Sequence, residues 1–404
     1  MPSKQADTRS DSKSRDENEI HYTTICQECI SFHLNVIIIG MSKLSGTVTD
    51  LTIKDIEELV ISLGEPAYRV NQLLDGVYRR LAVSYDEMTD LSLVLRQKLE
   101  KRIALHTLSL VREVVSRDGT VKVLFRLADG KTIESALMLY AAGAGRPRTT
   151  VCLSTQVGCP ISCLFCATGQ QGFERNLTPG EIIDQVLYFA RRVRDSSEES
   201  RHSHITNIVF MGMGEPLANY EALMQTIVAL TSPRCFGTSP RNITISTAGL
   251  VPQIRQLGRE KVKVGLAVSL HAPDNTLRSR LVPLNKRYPL EELIPACREY
   301  AEKTGRRVSF EYVLFTGIND SLSQAGALAK LLVGINCHVN LIPANRTADK
   351  AFQPPSRTRV LAFEQQLKLA GINCTLRLSR GQDIDAGCGQ LRSSLLRHEI
   401  QIRK

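Results

Sequence analysis

From Leu51 onward the chain moves between two periodicities. Ile53, Ile56, Leu59, Val60 and Leu63 fall three or four residues apart and stop at Gly64. That is the spacing of one helix face with a terminating glycine. Ala67, Val70, Leu73, Leu74, Val77, Tyr78 and Leu81 repeat it, and a third helix is predicted over about 92–103, opened by Asp90-Leu91-Ser92. These helices define a small accessory module over 45–105. Residues 107–140 switch to period two. Leu108–Arg112, Val121–Leu127 and Thr132–Met138 read as strands, with Asp118-Gly119 and Asp129-Gly130 as hairpin turns between them. This meander reads as a joint between the helical module and a main domain. Residues 141–149 read as a small basic linker, so the joint spans 106–149.

From Thr150 the pattern alternates on a longer scale. Apolar strands are predicted at Val151–Ser154, Ile205–Phe210, Ile243–Ser246, Val262–Leu270, Val308–Phe315, Val339–Ile342 and Cys374–Leu378. Helices fill about 219–230, 250–258, 290–303, 320–333 and 357–370. Another helix opens at Thr178, with Pro179 at its first position and Glu181 at its third, a capping box worth roughly 1 kcal/mol. Such alternation means parallel strands with crossover helices. The fold class is therefore α/β: a partial (β/α)6 barrel over 150–378, with the helical domain and the meander as extensions and the site at the C-terminal strand ends. A loop and tail, 379–404, close the chain. Residues 1–44 are dominated early by Ser, Asp, Lys, Arg and Glu and read as a disordered or non-native tail, with Met41 as an alternative start. Cys26, Cys29 and His33 form half a metal knuckle with no second half.

Composition narrows the class. The chain has 404 residues, 43% hydrophobic and 23% charged, and no apolar run approaches a membrane span. A formal charge of +10 favours polyanionic partners such as RNA, and equally suits a generically basic enzyme. Arg79-Arg80 and the Lys98, Lys101, Arg102 group give the helical module a basic surface, which reads as a nucleic-acid face or as a solvated one. Eleven cysteines without a secretory leader point to a reducing compartment, the cytoplasm.

The chemistry concentrates in Cys159-Pro160-Ile161-Ser162-Cys163-Leu164-Phe165-Cys166. Three thiols this close suit disulfides poorly, and zinc asks for four ligands. Three thiolates on a cubane iron–sulfur cluster leave one iron open, whereas ferredoxins supply a fourth cysteine. The C-x3-C-x2-C motif, with Phe165 before its last cysteine, resembles that of the radical-SAM superfamily, in which S-adenosylmethionine (SAM) chelates the open iron. Other polar groups fall at strand ends. Gly214 and Glu215 lie in Met211–Pro216, Ser246 ends one strand, Ser269, Leu270 and His271 end the next, and Asn345 follows another. The glycines would let backbone approach a ligand, and Glu215 would accept from an ammonium group. Cys388 sits in a Gly- and Asp-rich loop, a candidate nucleophile. Cys152 precedes the motif by seven positions. Glu134 is a charge in an apolar strand that could equally face solvent.

Gln156–Cys159, Cys166–Phe173, Arg175–Leu177, the Met-Gly-Met-Gly-Glu-Pro segment, Ser269–His271 and Asp383–Leu391 together resemble the RlmN/Cfr family of radical-SAM RNA methyltransferases, over about 48–392. Gly64–Pro66, Asp86–Leu91 and Glu215-Pro216 lean toward the RlmN branch, which methylates adenosine C2 in 23S rRNA and tRNA; the alternative is the Cfr branch, which acts at C8. The resemblance implies a [4Fe-4S] cluster on Cys159, Cys163 and Cys166. It also implies two SAM molecules per turnover, with contacts from Gly214, Glu215, Ser246, Ser269, Leu270, His271 and Asn345. Cys388 would carry the methyl group and bond covalently to the RNA, Cys152 would resolve it through a disulfide, and Glu134 would accept the proton. The expected partners are 23S rRNA, tRNA and a flavodoxin-like or ferredoxin-like electron donor, with no membrane and a monomeric enzyme. Arg175, Arg377 and Arg380 are candidate phosphate contacts.

Overall fold

The computed structural model describes residues 44–141, 147–196, 204–345, 351–377, 379–387 and 389–391. The expectations for residues 1–43, including Cys26, Cys29 and His33, and for Cys388 lie outside them. Every element of the fold belongs to the compact unit Ser45–Lys404.

The helical module is α1 (Ile53–Ser62), α2 (Arg69–Tyr78) and α3 (Leu93–Arg102). Thr52 and Asp55 make a capping box for α1, and Ser92 caps α3. The meander follows as β1 (Ser109–Val115), β2 (Val121–Arg126) and β3 (Thr132–Tyr140). It does more than join two domains. β3 pairs antiparallel with β4 (Arg148–Cys152), Ala136 opposite Cys152 and Tyr140 opposite Arg148. The end of the expected linker is therefore strand, and one sheet crosses the boundary drawn at 149/150.

After β4 come a short hairpin, β5 (Gln156–Gly158) and β6 (Phe173–Asn176), with α4 (Ala167–Gln170) between its strands. Then α5 (Pro179–Asp195) opens on the expected capping box. Alternation follows: β7 (Asn207–Phe210), α6 (Tyr220–Thr231), β8 (Ile243–Thr247), α7 (Val251–Leu257), β9 (Gly265–Ser269), α8 (Asn275–Leu281), α9 (Leu290–Thr304), β10 (Val308–Leu314), α10 (Leu322–Leu332), β11 (Cys337–Pro343), α11 (Arg357–Leu369) and β12 (Cys374–Leu376). Among the described residues ten strands form one sheet, in the order β1-β2-β3-β4-β7-β8-β9-β10-β11-β12. All pairings from β4 to β12 are parallel, as the crossover helices require.

One contiguous core runs from the meander to β12. Phe125 of β2 meets Tyr188 and Phe189 of α5 edge-on, at 5.0 and 6.3 Å between ring centroids. Fully buried Gln185 of α5 spends its amide on both neighbours. Its Oε1 accepts from Ser135 Oγ and from Ser154 N, and its Nε2 donates to Ser154 O at 3.0 Å. Asp184 accepts from Thr107 N at 2.7 Å, and Asp50 accepts from Gly180 N at 2.7 Å. These carboxylates lock the helical module onto α5. Among the described residues no helix is long and apolar enough to cross a membrane.

Candidate active site

A cavity of about 180 Å³ opens at the C-terminal strand ends. Cys159, Cys163 and Cys166 line one side. Gly214 and Glu215 beyond β7, Ser246 of β8, Ser269 of β9, His271, and Asn345 beyond β11 line the rest. Parallel strands put all their C-terminal ends on one edge, so residues nearly 190 positions apart converge without long connections.

Burial dominates the electrostatics. Desolvation pushes the Cys159 thiol up to about 12 and Cys163 well above its ordinary value, with the neighbouring cysteines and Glu215 adding to it. Unbound, these two thiols stay protonated, and coordination to a cation would offset that penalty. Among the described residues no three ligating side chains converge on a single ion. A cluster asks for something else, because each thiolate takes its own iron. Three mutually close thiols on one cavity wall fit such a cluster, and they leave one iron for a non-protein ligand.

Glu215 is 3% exposed, and burial raises its carboxyl to about 7 despite accepted hydrogen bonds. Its Oε2 accepts from Ala248 N at 2.7 Å and its Oε1 from Leu217 N at 3.1 Å. It ties the end of β7 to the end of β8 while still facing the cavity. Gly214 has a second reason beside the expected one. Its φ is +103°, and a Cβ there would lie 2.6 Å from Gln156 Cβ, so packing on Gln156 also requires a glycine at this point of the cavity wall. Gln156 itself accepts from Glu215 N at 2.8 Å.

His271 is a left-handed residue, φ 59°, at a strand end, a strained conformation of the kind that clusters at functional sites. Its Nδ1 accepts from Val313 N at 3.1 Å, which leaves the other nitrogen to carry the proton. Burial, helped by the Arg278 cation, holds its pKa at about 3, so the ring is neutral. Phe165 stands edge-on to it at 4.9 Å and packs against Phe315. Leu270 departs from expectation: its side chain is in the core, and it does not line the cavity. Glu311 of β10 went unread in the sequence although it faces the cavity, 5% exposed, beside Arg377 at 3.7 Å. Its signal, a charge inside an apolar strand, is the one that singled out Glu134.

A second cavity, about 30 Å³, shares a wall with the first through Met211, Ile342, Arg377 and Leu391. Cys152 and Gly387 line it, whereas Gly389 lines the larger one. Cys388 lies outside the described residues, but its two neighbours face cavities on either side of that partition. The segment is tied down at both ends. Ala167 N donates to Gly389 O at 2.8 Å and Thr168 Oγ1 to Leu391 O at 2.6 Å, directly after the last motif cysteine. Upstream, Asp118 accepts from Gly381 N at 3.0 Å, and Asp383 accepts from Ser116 Oγ and Arg117 N.

Glu134 does not face solvent. It is fully buried, 3.5 Å from the ammonium of Lys122, which is itself 3% exposed. Lys122 also donates to Asp385 O at 3.3 Å. The pair thus reaches the Cys388 loop, although Glu134 lines neither cavity. The arginine expectations divide. Arg175 pairs with Asp129 and, through two bonds of 2.7 and 2.8 Å, with Glu181, so it holds β6 to α5. Arg380 stacks on Tyr140 at 4.7 Å and donates to Asp118 O.

Residues 153–325 match the radical SAM superfamily, so the strand-end cavity with its three thiols belongs to a radical-SAM enzyme. Such enzymes use SAM and an iron–sulfur cluster. Residues 47–105 match the ribosomal RNA large subunit methyltransferase N-terminal domain. The chain is 48% identical over 344 residues to the dual-specificity RNA methyltransferase RlmN of Syntrophobacter fumaroxidans, covering 85% of this chain and 97% of that protein. It is 45% identical over 347 residues to ribosomal RNA large subunit methyltransferase N of Nitrosopumilus maritimus, covering 85% and 97%. A crystal structure of a radical SAM methyltransferase from Sphaerobacter thermophilus superposes with a TM-score of 0.82 at 52% identity, covering 86% of this chain and 99% of that one. The chain belongs to the RlmN family of radical-SAM RNA methyltransferases.

Proposed function

We propose that this enzyme methylates C2 of an adenosine in 23S rRNA and of an adenosine in tRNA, with Cys388 as the carrier of the methyl group. The observation that carries the reading is the pair of cavities: the three motif thiols line one, Cys152 lines the other, and the glycines flanking Cys388 face one each. Cys159, Cys163 and Cys166 hold a [4Fe-4S] cluster. When bound, the cluster with its SAM supplies the power to remove a hydrogen atom from an unactivated methyl group. Glu215 receives the SAM ammonium, and Gly214, Ser246, Ser269, the Leu270 backbone, His271 and Asn345 surround the rest of the molecule.

Adenine C2 is electron-poor and cannot attack SAM, so the methyl group travels through sulfur. Cys388 takes it from a first SAM by displacement, and a second SAM serves the hydrogen abstraction, two per turnover. The carbon held on Cys388 adds to C2 and links protein to RNA. Glu134 accepts the C2 proton. The adduct, a radical, gives up one electron to the electron-donor system along with that proton. The Cys152 thiolate then attacks the Cys388 sulfur and forms the disulfide. The electron pair of the broken carbon–sulfur bond passes to the carbon, which takes up a proton and leaves as the methyl group on C2. An external thiol reductant resets the disulfide. Electrons come from a flavodoxin-like or ferredoxin-like donor, and the enzyme works as a cytoplasmic monomer. Cys152→Ala tests the reading: it should accumulate a denaturation-stable RNA–protein adduct, and Cys388→Ala should form none. Normal turnover by either variant would sink the relay.

A further inference from the structure

α8 packs against the thiol loop. Ile161, Leu277 and Leu281 share one buried cluster, with Cys159 and Cys163 at its edge, and Leu164 N donates to Leu281 O at 3.2 Å. The middle of α8 carries Arg278, whose side chain has no solvent exposure. Its Nε donates to Leu270 O at 3.2 Å, its Nη1 to Asn285 Oδ1 at 2.9 Å, and its Nη2 to Ala248 O at 2.6 Å and Ser269 O at 3.1 Å. Every acceptor is neutral. A guanidinium usually enters a protein interior beside a carboxylate, yet the ionisable groups that favour this cation are the thiols of Cys163 and Cys297. Cys163 is the middle cysteine of the loop against which α8 packs. A thiolate there supplies the counter-charge that the four oxygens do not.

We infer that Arg278 is a positioning residue for the iron–sulfur cluster: it fixes the ends of β8 and β9 around the cavity and places a buried positive charge behind Cys163 that favours the reduced cluster. The inference rests on the assignment of Cys159, Cys163 and Cys166 as ligands. Reduction adds an electron, so a fixed cation in a low-dielectric wall raises the potential, one of the protein's levers on such centres.

The test is an EPR-monitored redox titration of the cluster-loaded protein, with iron and sulfide content and thermal midpoint measured alongside. Arg278→Gln should make reduction at least tenfold less favourable, about 59 mV lower for one electron. Arg278→Lys should stay closer to the wild-type potential. Asn285→Leu removes an acceptor but keeps the charge; it should lower the thermal midpoint and leave the potential in place. A fully loaded Arg278→Gln protein at the wild-type potential overturns the inference. So does Asn285→Leu shifting the potential as far as Arg278→Gln, since packing would then set it. If the glutamine variant does not load, the comparison decides between Arg278→Lys and Asn285→Leu. Both at the wild-type potential support the charge assignment, and either one lower by 59 mV or more overturns it. Failure of the ligand assignment itself reads differently: Cys163→Ser would keep its full iron content.

Discussion

Replacing Lys122 by methionine removes one charge from a buried pair and keeps most of the aliphatic stem. The two groups are 3.5 Å apart at 3% and 0% side-chain exposure. At an effective dielectric of about 20, that separation corresponds to roughly 5 kcal/mol of attraction. Much of it offsets the cost of taking both charges out of water, so the pair as a whole contributes little. Removing one partner is different, because Glu134 then keeps its burial cost without the ammonium that offsets it, at a cost of about 3–5 kcal/mol. Lys122 also donates to Asp385 O, so the same substitution loosens the loop that carries Cys388. Urea unfolding of the metal-free protein should show Lys122→Met less stable by that amount, a large share of a stability of about 5–15 kcal/mol. The double variant with Glu134→Gln should lose at least about 2 kcal/mol less than the sum of the single losses, since contacting residues couple. A loss under about 1 kcal/mol for Lys122→Met, or strict additivity in the cycle, would refute the reasoning.

The remaining predictions concern other parts of the site. Glu215 has a raised carboxyl, so its contribution to the metal-free protein is full below about 4.5, its ordinary value, and is lost as pH rises through about 7. The loss amounts to about 3 kcal/mol, and pH-dependent unfolding of Glu215→Gln should lack that decline while SAM affinity falls at least about tenfold, as for a lost charged pair. Asp118 runs the other way. Burial pushes its carboxyl up, but hydrogen bonds from Thr120, Gly381 and Ser116 hold it at about 2. Its hold on the Cys388 loop is therefore present above the ordinary aspartate range and fades as pH falls toward 2. At neutral pH, Asp118→Ala with Asp383→Ala should speed proteolysis between 379 and 391 several-fold without changing the unfolding of the barrel; an unchanged cleavage rate would count against the tether.

Much of this architecture is legible in the sequence because its causes are local. The spacing of Ile53, Ile56, Leu59 and Leu63 is a helix face, and Thr178 with Glu181 is a complete capping device. Asp118-Gly119 and Asp129-Gly130 sit at the turns they foretell. What escaped is non-local. Alternation marks β3 and β4 as strands, but their partner is chosen by backbone hydrogen bonds that leave no trace in side-chain pattern, so the meander reads as a joint when it is part of the main sheet. β5 and β6, three and four residues long, are too short to show a period. At the site, the strand-end rule finds the cavity wall, but it does not show that the Leu270 side chain turns into the core. Nor does it show that Gly214 is packed against Gln156. Arg175 looked like a free cation because Asp129 and Glu181 meet it only in the folded chain. Glu134 was ambiguous for the same reason, since its ammonium partner lies on another strand.

The central claim is that a methyl group passes through Cys388 to adenine C2 of RNA. The cluster-loaded enzyme should be charged with methyl-labelled SAM, freed of unbound SAM, and given unlabelled SAM, reductant and either 23S rRNA or tRNA. Mass spectrometry of the digested RNA should find the first methyl labelled and located at C2 of adenosine. Product carrying the methyl only at C8, or a first turnover without label, would contradict the account.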